Sequence, residues 1–308
     1  MVAMADVLVT GSEGFIGNAL ARALVRSNHT VRGIDLREPG SPKLEYEYIQ
    51  GDVENSSDVE GATRHVEVIY HFAAMSNLNN SRGLPLQTIE SNVMATSILC
   101  DICLRKGIKM IFASSEHVYG TSRRRTINET TPMSPNEIYA ASKAAGEYII
   151  RNFGIRNTIL RLSTAYGPRM REALAIYLFL SRAIKGETIS IHSPGTQRRQ
   201  YIYVDDIASA CIAAMREEGD GKVFNVPGPE LISVIELAKT CIELAESKSE
   251  LTFLSSRKGD IDSGFLSYDK ARKFLQWEPK IGLRKGLQLT LEWIKANQTK
   301  QIPTPRVS

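Results

Sequence analysis

No apolar run in the 308 residues reaches the roughly 20 needed to cross a bilayer. Nothing before the first apolar strand, which follows Met1–Asp6 directly, resembles a secretory signal, so a membrane-free, cytoplasmic setting is expected. Cysteine is scarce, with four in all. Cys100 and Cys103 form a Cys-x-x-Cys, but they lie inside the apolar-periodic stretch Val93–Leu104, which reads as helix interior. A redox pair sits instead at a helix start, where the thiolate is stabilised. Cys211 and Cys241 read as packing residues too, so neither a disulfide nor a metal site is expected. An excess of one charge is also missing: 38 Lys and Arg face 34 Asp and Glu, for a net charge of +4. The tight basic clusters are Arg123–Arg125 and Arg198–Arg199, and the first reads as a solvated loop, so no nucleic-acid partner is expected. There is no internal repeat. At 43% hydrophobic and 23% charged, the chain has the composition of a globular protein, long enough for one large domain and a smaller lobe.

What is present starts with Val7-Leu8-Val9-Thr10-Gly11-Ser12-Glu13-Gly14-Phe15-Ile16-Gly17. A short apolar run enters a turn with glycines at 11, 14 and 17, then becomes a helical pattern through Ala23 and Leu24. That is strand, tight turn, helix. Glycine permits positive φ and close approach of backbone to a ligand, and the unpaired N–H groups of the helix start attract a diphosphate. Ordinary strand-to-helix turns use glycine as well, so the loop alone is a weak signal. Thr30–Asp35 reads as a second strand ending in an acid 18 residues past Gly17. There a carboxylate binds both ribose hydroxyls of NAD and repels the 2′-phosphate of NADP. Arg37 lies close enough to receive such a phosphate, but Leu36 directly follows the acid, and the reading is NAD.

Further strands are expected at Tyr46–Gln50, Val66–Ala74, Lys109–Ala113 and Thr158–Leu162, with helices at about Leu86–Lys106 and Ile138–Phe153. Alternation at this pace implies a Rossmann-type doubly wound parallel sheet. From Tyr166-Gly167-Pro168 the rhythm changes to a helix at Ala173–Lys185 and a short strand at Thr188–Ile191. Tyr201–Val204, a helix from Asp205 to Met215 and Val223–Val226 are expected to return to the large domain. The expected division is therefore a Rossmann domain of residues 1–165 plus about 200–227, and a mixed substrate lobe of about 166–199 and 228–300. Residues 301–308, with two prolines and no apolar pattern, are expected to be a mobile tail.

Tyr139-Ala140-Ala141-Ser142-Lys143 places a phenol and an ammonium one helical turn apart. A nearby cation lowers a tyrosine pKa, and such a phenol can accept an alcohol proton while hydride leaves the same carbon. Among all 11 tyrosines, Tyr139 alone has lysine four residues on. Ser115 lies 24 residues earlier, at a strand end that should abut the same cleft. A hydroxyl there can hold the reacting oxygen.

Gly-x-x-Gly-x-x-Gly, Ser-x-x-Val-Tyr-Gly at Ser115–Gly120, Tyr-x-x-x-Lys and Arg-Leu-x-x-x-Tyr-Gly-Pro at Arg161–Pro168 occur in this order. Together they resemble the extended short-chain dehydrogenase/reductases, specifically the NAD-dependent epimerase/dehydratase family acting on nucleotide sugars. The resemblance runs from Val7 to about Trp293. It implies that Gly11, Gly14, Phe15, Ile16 and Gly17 line the diphosphate, Asp35 holds the adenosine ribose, and Asp52 with Val53 the adenine. It further implies Phe72, Ala73, Ala74 and Asn92 along the middle of the cofactor, Tyr139 and Lys143 at the nicotinamide ribose, and Leu162 and Ala165 near the ring. Ser115, Tyr139, Lys143 and Glu116 would be catalytic. Ser115 and Tyr139 would also contact the sugar, and Arg199 and Arg257 would grip its diphosphate.

Some positions depart from the pattern. Thr164 replaces a usual asparagine, Gln200 a common aspartate, Ser193-Pro194 a glycine-rich turn, and His192 falls where an aromatic often meets the nucleobase. Glu116 and His117 follow Ser115, where the dehydratases of the family commonly carry aspartate then glutamate and the epimerases small or neutral residues. The expected activity is a nucleotide-sugar epimerase, at C4 and with UDP-sugars favoured, and the resemblance further implies a dimer through the helices at 86–106 and 138–153. The alternatives are a 4,6-dehydratase or decarboxylase, and a dehydrogenase on a free sugar or uronate. A non-catalytic NAD sensor is disfavoured, since it has no use for Ser115, Tyr139 and Lys143.

Overall fold

The computed structural model describes residues 4–40, 44–121, 124–192, 194–255 and 264–298. Seven strands, β1 (Asp6–Thr10), β2 (Thr30–Asp35), β3 (Glu47–Gln50), β4 (Val68–His71), β5 (Lys109–Ser115), β6 (Asn157–Leu162) and β7 (Lys222–Val226), form one sheet. Their order is β7-β6-β5-β4-β1-β2-β3, and every pair is parallel. This is the Rossmann-type doubly wound sheet expected from the sequence, with its order reversing between β1 and β4. In such sheets ligands bind outside the carboxyl ends of the strands at that switch point.

The apolar runs divide by the period of two. Val7, Val9, Tyr70, Ile111 and Ala113 belong to one core, while Leu8, Ile69, Met110 and Phe112 belong to the other. Helices α1 (Phe15–Arg26) and, later in the chain, α4 (Val204–Ala213) cover the first face, contributing Leu20, Leu24, Ile207 and Cys211. Helices α2 (Ala95–Lys106) and α3 (Ile138–Phe153) cover the second with Leu99, Ile102 and Ile150. Cys100, Cys103, Cys211 and Cys241 are free and buried, and burial pushes the Cys100 thiol up to about 12. They are packing groups.

Two segments differ from the expectation. The span read as one helix from Leu86 to Lys106 is Pro85–Ile89, then a π turn at Glu90–Met94, then α2. The π turn widens the backbone where Asn92 turns inward: its Oδ1 accepts from Met75 N at 2.8 Å, and its Nδ2 donates to Met75 O at 3.2 Å and Ser142 Oγ at 2.9 Å. Single π turns mark functional segments more often than chance. Second, the strand around Tyr201 runs Arg198–Tyr203 and lies outside the large sheet. It pairs parallel with Thr164–Tyr166 and antiparallel with Leu231–Ser233. Around this small sheet Tyr166, Phe179, Leu180, Tyr203, Leu237 and Leu287 build a third core.

Candidate active site

The parallel register gathers the carboxyl ends of the strands. Thr10 lies opposite Ile34 and His71, and Ser115 opposite Leu162. The glycine turn, Asp35, Phe72–Ala74, Ser115 and Leu162 therefore meet at one edge of the sheet. Gly11 adopts φ 69°, and a Cβ on it would stand 2.8 Å from Ala73 N. A Cβ on Gly17 would collide with Gly11 O. Only glycine allows this turn to fold so tightly onto β4. Gly14 caps α1 without a side-chain acceptor, and the first turn carries no acid. The helix-start N–H groups are thus left for an anionic ligand, which suits the diphosphate of a dinucleotide. The residues present fit NAD at this edge.

Glu13, inside the turn, is held away from that role. It accepts from Tyr46 OH at 3.0 Å and Gly40 N at 2.9 Å, and pairs with Arg169 at 3.6 Å. Asp35 is buried at the end of β2 and accepts from Glu13 N at 3.0 Å, tying the acid to the turn. Beneath the turn, His71 hydrogen bonds Thr10 Oγ1 at 2.9 Å and Thr96 Oγ1 at 3.1 Å, and burial lowers its pKa to about 3. It is a neutral brace, and Thr10 Oγ1 in turn accepts from Phe72 N and Ala73 N.

Other expected cofactor contacts are placed unevenly. Phe15, Ile16, Ala74 and Ala165 are half-buried near the strand ends. Val53 and Leu162 are packed into the two cores. Asp52 accepts from Glu54 N at 2.9 Å and remains partly exposed. The Asn92 amide is engaged by Met75 and Ser142, so its visible work is to hold the 75 loop against α3.

The residues expected to be catalytic meet where β5 packs against α3. Ser115 lies close enough to the Tyr139 phenol to favour its ionised form, and its Oγ accepts from His117 N at 3.3 Å. Burial pushes the phenol above its ordinary pKa, while Ser115 and the Arg171 charge pull it back. The expected lowering by Lys143 does not dominate here. Lys143 is buried with its ammonium 4.8 Å over the Phe112 ring, and burial brings its own pKa down to about 8. Arg171, which donates to Ser76 O at 3.4 Å, was not distinguished by the sequence. Nothing in spacing separates it from an ordinary loop cation.

Glu116 is 9% exposed, and its Oε1 accepts from Thr164 Oγ1 at 3.0 Å, while the buried Oε2 has no hydrogen-bond partner. Burial pushes this carboxyl up to about 7 against the opposing pull of Arg199 and Thr164. Arg199 also depresses the His117 imidazole, after burial, and the His117 ring stands 6.1 Å from that of Tyr139, edge-on. The small sheet explains the meeting. Tyr201 is in register with Thr164, and Arg199, two residues earlier, shares the face of Tyr201. Among the departures, Gln200 is a buried clamp: it donates to Gly228 O at 2.9 Å and accepts from Leu266 N at 2.6 Å. His192 hydrogen bonds Ser255 O at 3.1 Å. Arg257, Ser193 and the expected tail lie outside the described residues.

The Glu116 environment has a measurable consequence. Folded, the carboxyl binds its proton more tightly than its ordinary value of 4.5 allows, so stability should fall as pH rises from about 4.5 to about 7. Glu116→Gln should flatten that part of the profile, read from urea midpoints across the interval. An unchanged slope would show that the carboxyl is solvated.

The sequence pattern of the NAD dependent epimerase/dehydratase family matches residues 7–227. A dTDP-D-glucose 4,6-dehydratase of Mus musculus is 29% identical over 316 residues, covering 94% of this chain and 89% of its own. A putative UDP-glucose 4-epimerase of Methanocaldococcus jannaschii is 31% identical over 306 residues, with 94% and 99% covered. The crystal structure of a UDP-glucuronic acid 4-epimerase from Bacillus cereus, with UDP-glucuronic acid and NAD, superposes with a TM-score of 0.87 at 28% identity, covering 95% of this chain and 99% of that one. The glycine turn, the acid at the end of β2, Ser115 and Tyr139 thus sit in a chain that belongs to the NAD-dependent epimerase/dehydratase family.

Proposed function

We propose that the protein is a nucleotide-sugar epimerase acting at C4 of a UDP-sugar, with NAD regenerated in each turnover. The placement of Ser115 at the carboxyl end of β5, with Tyr139 on the helix packed against that strand and the glycine turn at the same edge of the sheet, carries this reading. Gly11, Gly14 and Gly17 would admit the diphosphate, Asp35 the adenosine ribose, and Tyr139 with Lys143 the nicotinamide ribose. When bound, NAD accepts hydride from the sugar carbon and returns it. Ser115 holds the sugar oxygen, and Tyr139 takes its proton in one direction and restores it in the other. The keto-sugar must present its other face before reduction. Arg199, whose charge acts on Glu116 and His117, would bind the substrate diphosphate, and Arg257 is proposed for the same role.

The buried Glu116 favours a second reading, a dehydratase in which a neutral carboxyl assists loss of water. Incubation with UDP-, dTDP-, GDP- and CDP-sugars separates the two by mass and NMR. Inversion at constant mass is expected, loss of water would establish the dehydratase, and accumulation of free NADH a dehydrogenase. Glu116→Gln should retain interconversion in an epimerase and lose water elimination in a dehydratase.

A homodimer is proposed through the outer face of the Pro85–Lys106 span and α3, where Leu86, Met94, Leu104 and Tyr148 are exposed. Such apolar surface on helices is a feature of subunit contacts. Light scattering should give twice the 34.2 kDa chain mass, and Leu86→Asp with Met94→Asp should halve it. Four buried free thiols support a cytoplasmic setting. Among the described residues no helix is long and apolar enough to cross a membrane.

A further inference from the structure

Asp35, the acid proposed to receive the adenosine ribose, has no acceptor position to spare. Its Oδ1 accepts from Arg37 N and Arg37 Nε, each at 3.1 Å. Its Oδ2 accepts from Arg37 Nη2 at 3.1 Å and Glu13 N at 3.0 Å. A carboxylate offers about four lone-pair sites, and all four are taken. Two of them belong to a guanidinium fork that matches the carboxylate in both spacing and charge.

The fork lies over the glycine turn. A Cβ on Gly14 would stand 3.6 Å from Arg37 Nη2. The Arg37 side chain is 62% exposed, so its position is set by Asp35 and not by packing. Its backbone is fixed by Tyr48, whose hydroxyl donates to Arg37 O and, at 3.1 Å, to Asp35 O. The charged and titratable groups around the fork are Asp35, Glu13 and Tyr48, and Asp35 raises the guanidinium pKa most. An exposed cation therefore rests on the seat that a ribose diol would need.

We propose that Arg37 is a specificity-determining residue that competes with the ribose diol for Asp35 and serves as counter-charge to a ribose 2′-phosphate. For NAD the fork must leave Asp35 before the diol can donate to it, which lowers affinity. For NADP the displaced guanidinium has a phosphate to bind, which offsets the repulsion that Asp35 alone would exert. NAD remains the preferred dinucleotide, with a narrower margin than a lone acid would give. The inference rests on the assignment of Asp35 to the adenosine ribose.

The test is titration calorimetry of the full chain, freed of dinucleotide, with NAD and with NADP. Arg37→Ala should lower the NAD Kd about 3- to 10-fold and raise the NADP Kd by at least about 10-fold, in the range of a lost exposed fork and a lost phosphate contact. Arg37→Lys keeps the charge without the fork and should tighten NAD while keeping most of the NADP affinity. With Asp35→Asn already in place, Arg37→Ala should no longer tighten NAD, because the competition has no object. Unchanged Kd values for both dinucleotides in Arg37→Ala overturn the proposal while leaving the ribose assignment standing. Weaker NAD binding by that variant also overturns it, since Arg37 would then be a direct ligand. Failure of the wild-type chain to bind either dinucleotide overturns both the proposal and the ribose assignment.

Discussion

Tyr139→Phe is expected to lower kcat by about 10²- to 10⁴-fold, the usual worth of a positioned proton acceptor, while NAD affinity changes little. Phenylalanine keeps the ring that stands edge-on to His117 and loses only the phenol oxygen near Ser115. Lys143→Ala should behave differently. Its ammonium is buried over Phe112, so truncation opens space in the core beside the site and removes a proposed ribose ligand. Both kcat and NAD affinity should fall. Ser115→Ala should reduce kcat with binding retained, because the hydroxyl orients an oxygen and also anchors His117 N. Steady-state kinetics beside dinucleotide titrations separate these effects. A phenylalanine variant with near-normal kcat would remove Tyr139 from the chemistry.

The electrostatics of that tyrosine were only partly legible in the sequence. Spacing puts Lys143 one turn from Tyr139, and α3 forms over Ile138–Phe153 as its pattern predicts. Which cation governs the phenol is a tertiary matter. Lys143 packs over Phe112, whereas Arg171 acts on the phenol from the loop after Tyr166, and burial outweighs it. A one-dimensional pattern contains no solvent. The same limit applies to Glu116: its place after Ser115 was visible, but not the Thr164 hydroxyl that holds one oxygen, nor the burial that lifts its pKa to about 7.

Local rules did well where one face decides the element. The sheet strands follow from apolar runs buried on both sides, and β4, β5 and β6 are buried throughout. They failed where backbone geometry answers to a distant partner. Glu90–Met94 contains neither glycine nor proline, so nothing announces the π turn that carries Asn92 to Met75 and Ser142. Arg198–Tyr203 has the residues of any half-buried strand, and its membership in the small sheet depends on Thr164–Tyr166 running beside it. Arg37 shows the limit most plainly. Its nearness to Asp35 was evident in the sequence, yet occupation of the acid depends on a side-chain rotamer.

Glu147→Ala is expected to produce the largest loss of stability of any single change considered. Glu147 is fully buried on α3 and receives Arg161 in a two-pronged pair, Nε to Oε1 at 2.8 Å and Nη2 to Oε2 at 2.7 Å. Ser114 Oγ donates to the same carboxylate at 2.6 Å, and Arg161 Nη1 donates to Tyr119 OH at 2.9 Å. Tyr119 in turn donates to Asn225 Oδ1 at 2.6 Å, which carries the network to β7. Removing the carboxylate strands a buried guanidinium, a defect of about 3–5 kcal/mol. For a chain of this size that corresponds to a melting point lower by roughly 10 °C. The pair itself need not stabilise strongly, since desolvating two charges cancels much of their attraction. Glu147→Met combined with Arg161→Met should therefore recover much of the loss, limited by the Ser114 hydroxyl left without its acceptor, whereas Tyr119 keeps Asn225. Urea unfolding of the two single variants and the double decides the matter, and a cost below about 1 kcal/mol for Glu147→Ala would mean that water reaches the guanidinium. Because Ser114 precedes Ser115, and Glu147 lies on the helix that carries Tyr139, the double variant should regain stability before it regains turnover: the methionines refill the space without fixing β5 to α3.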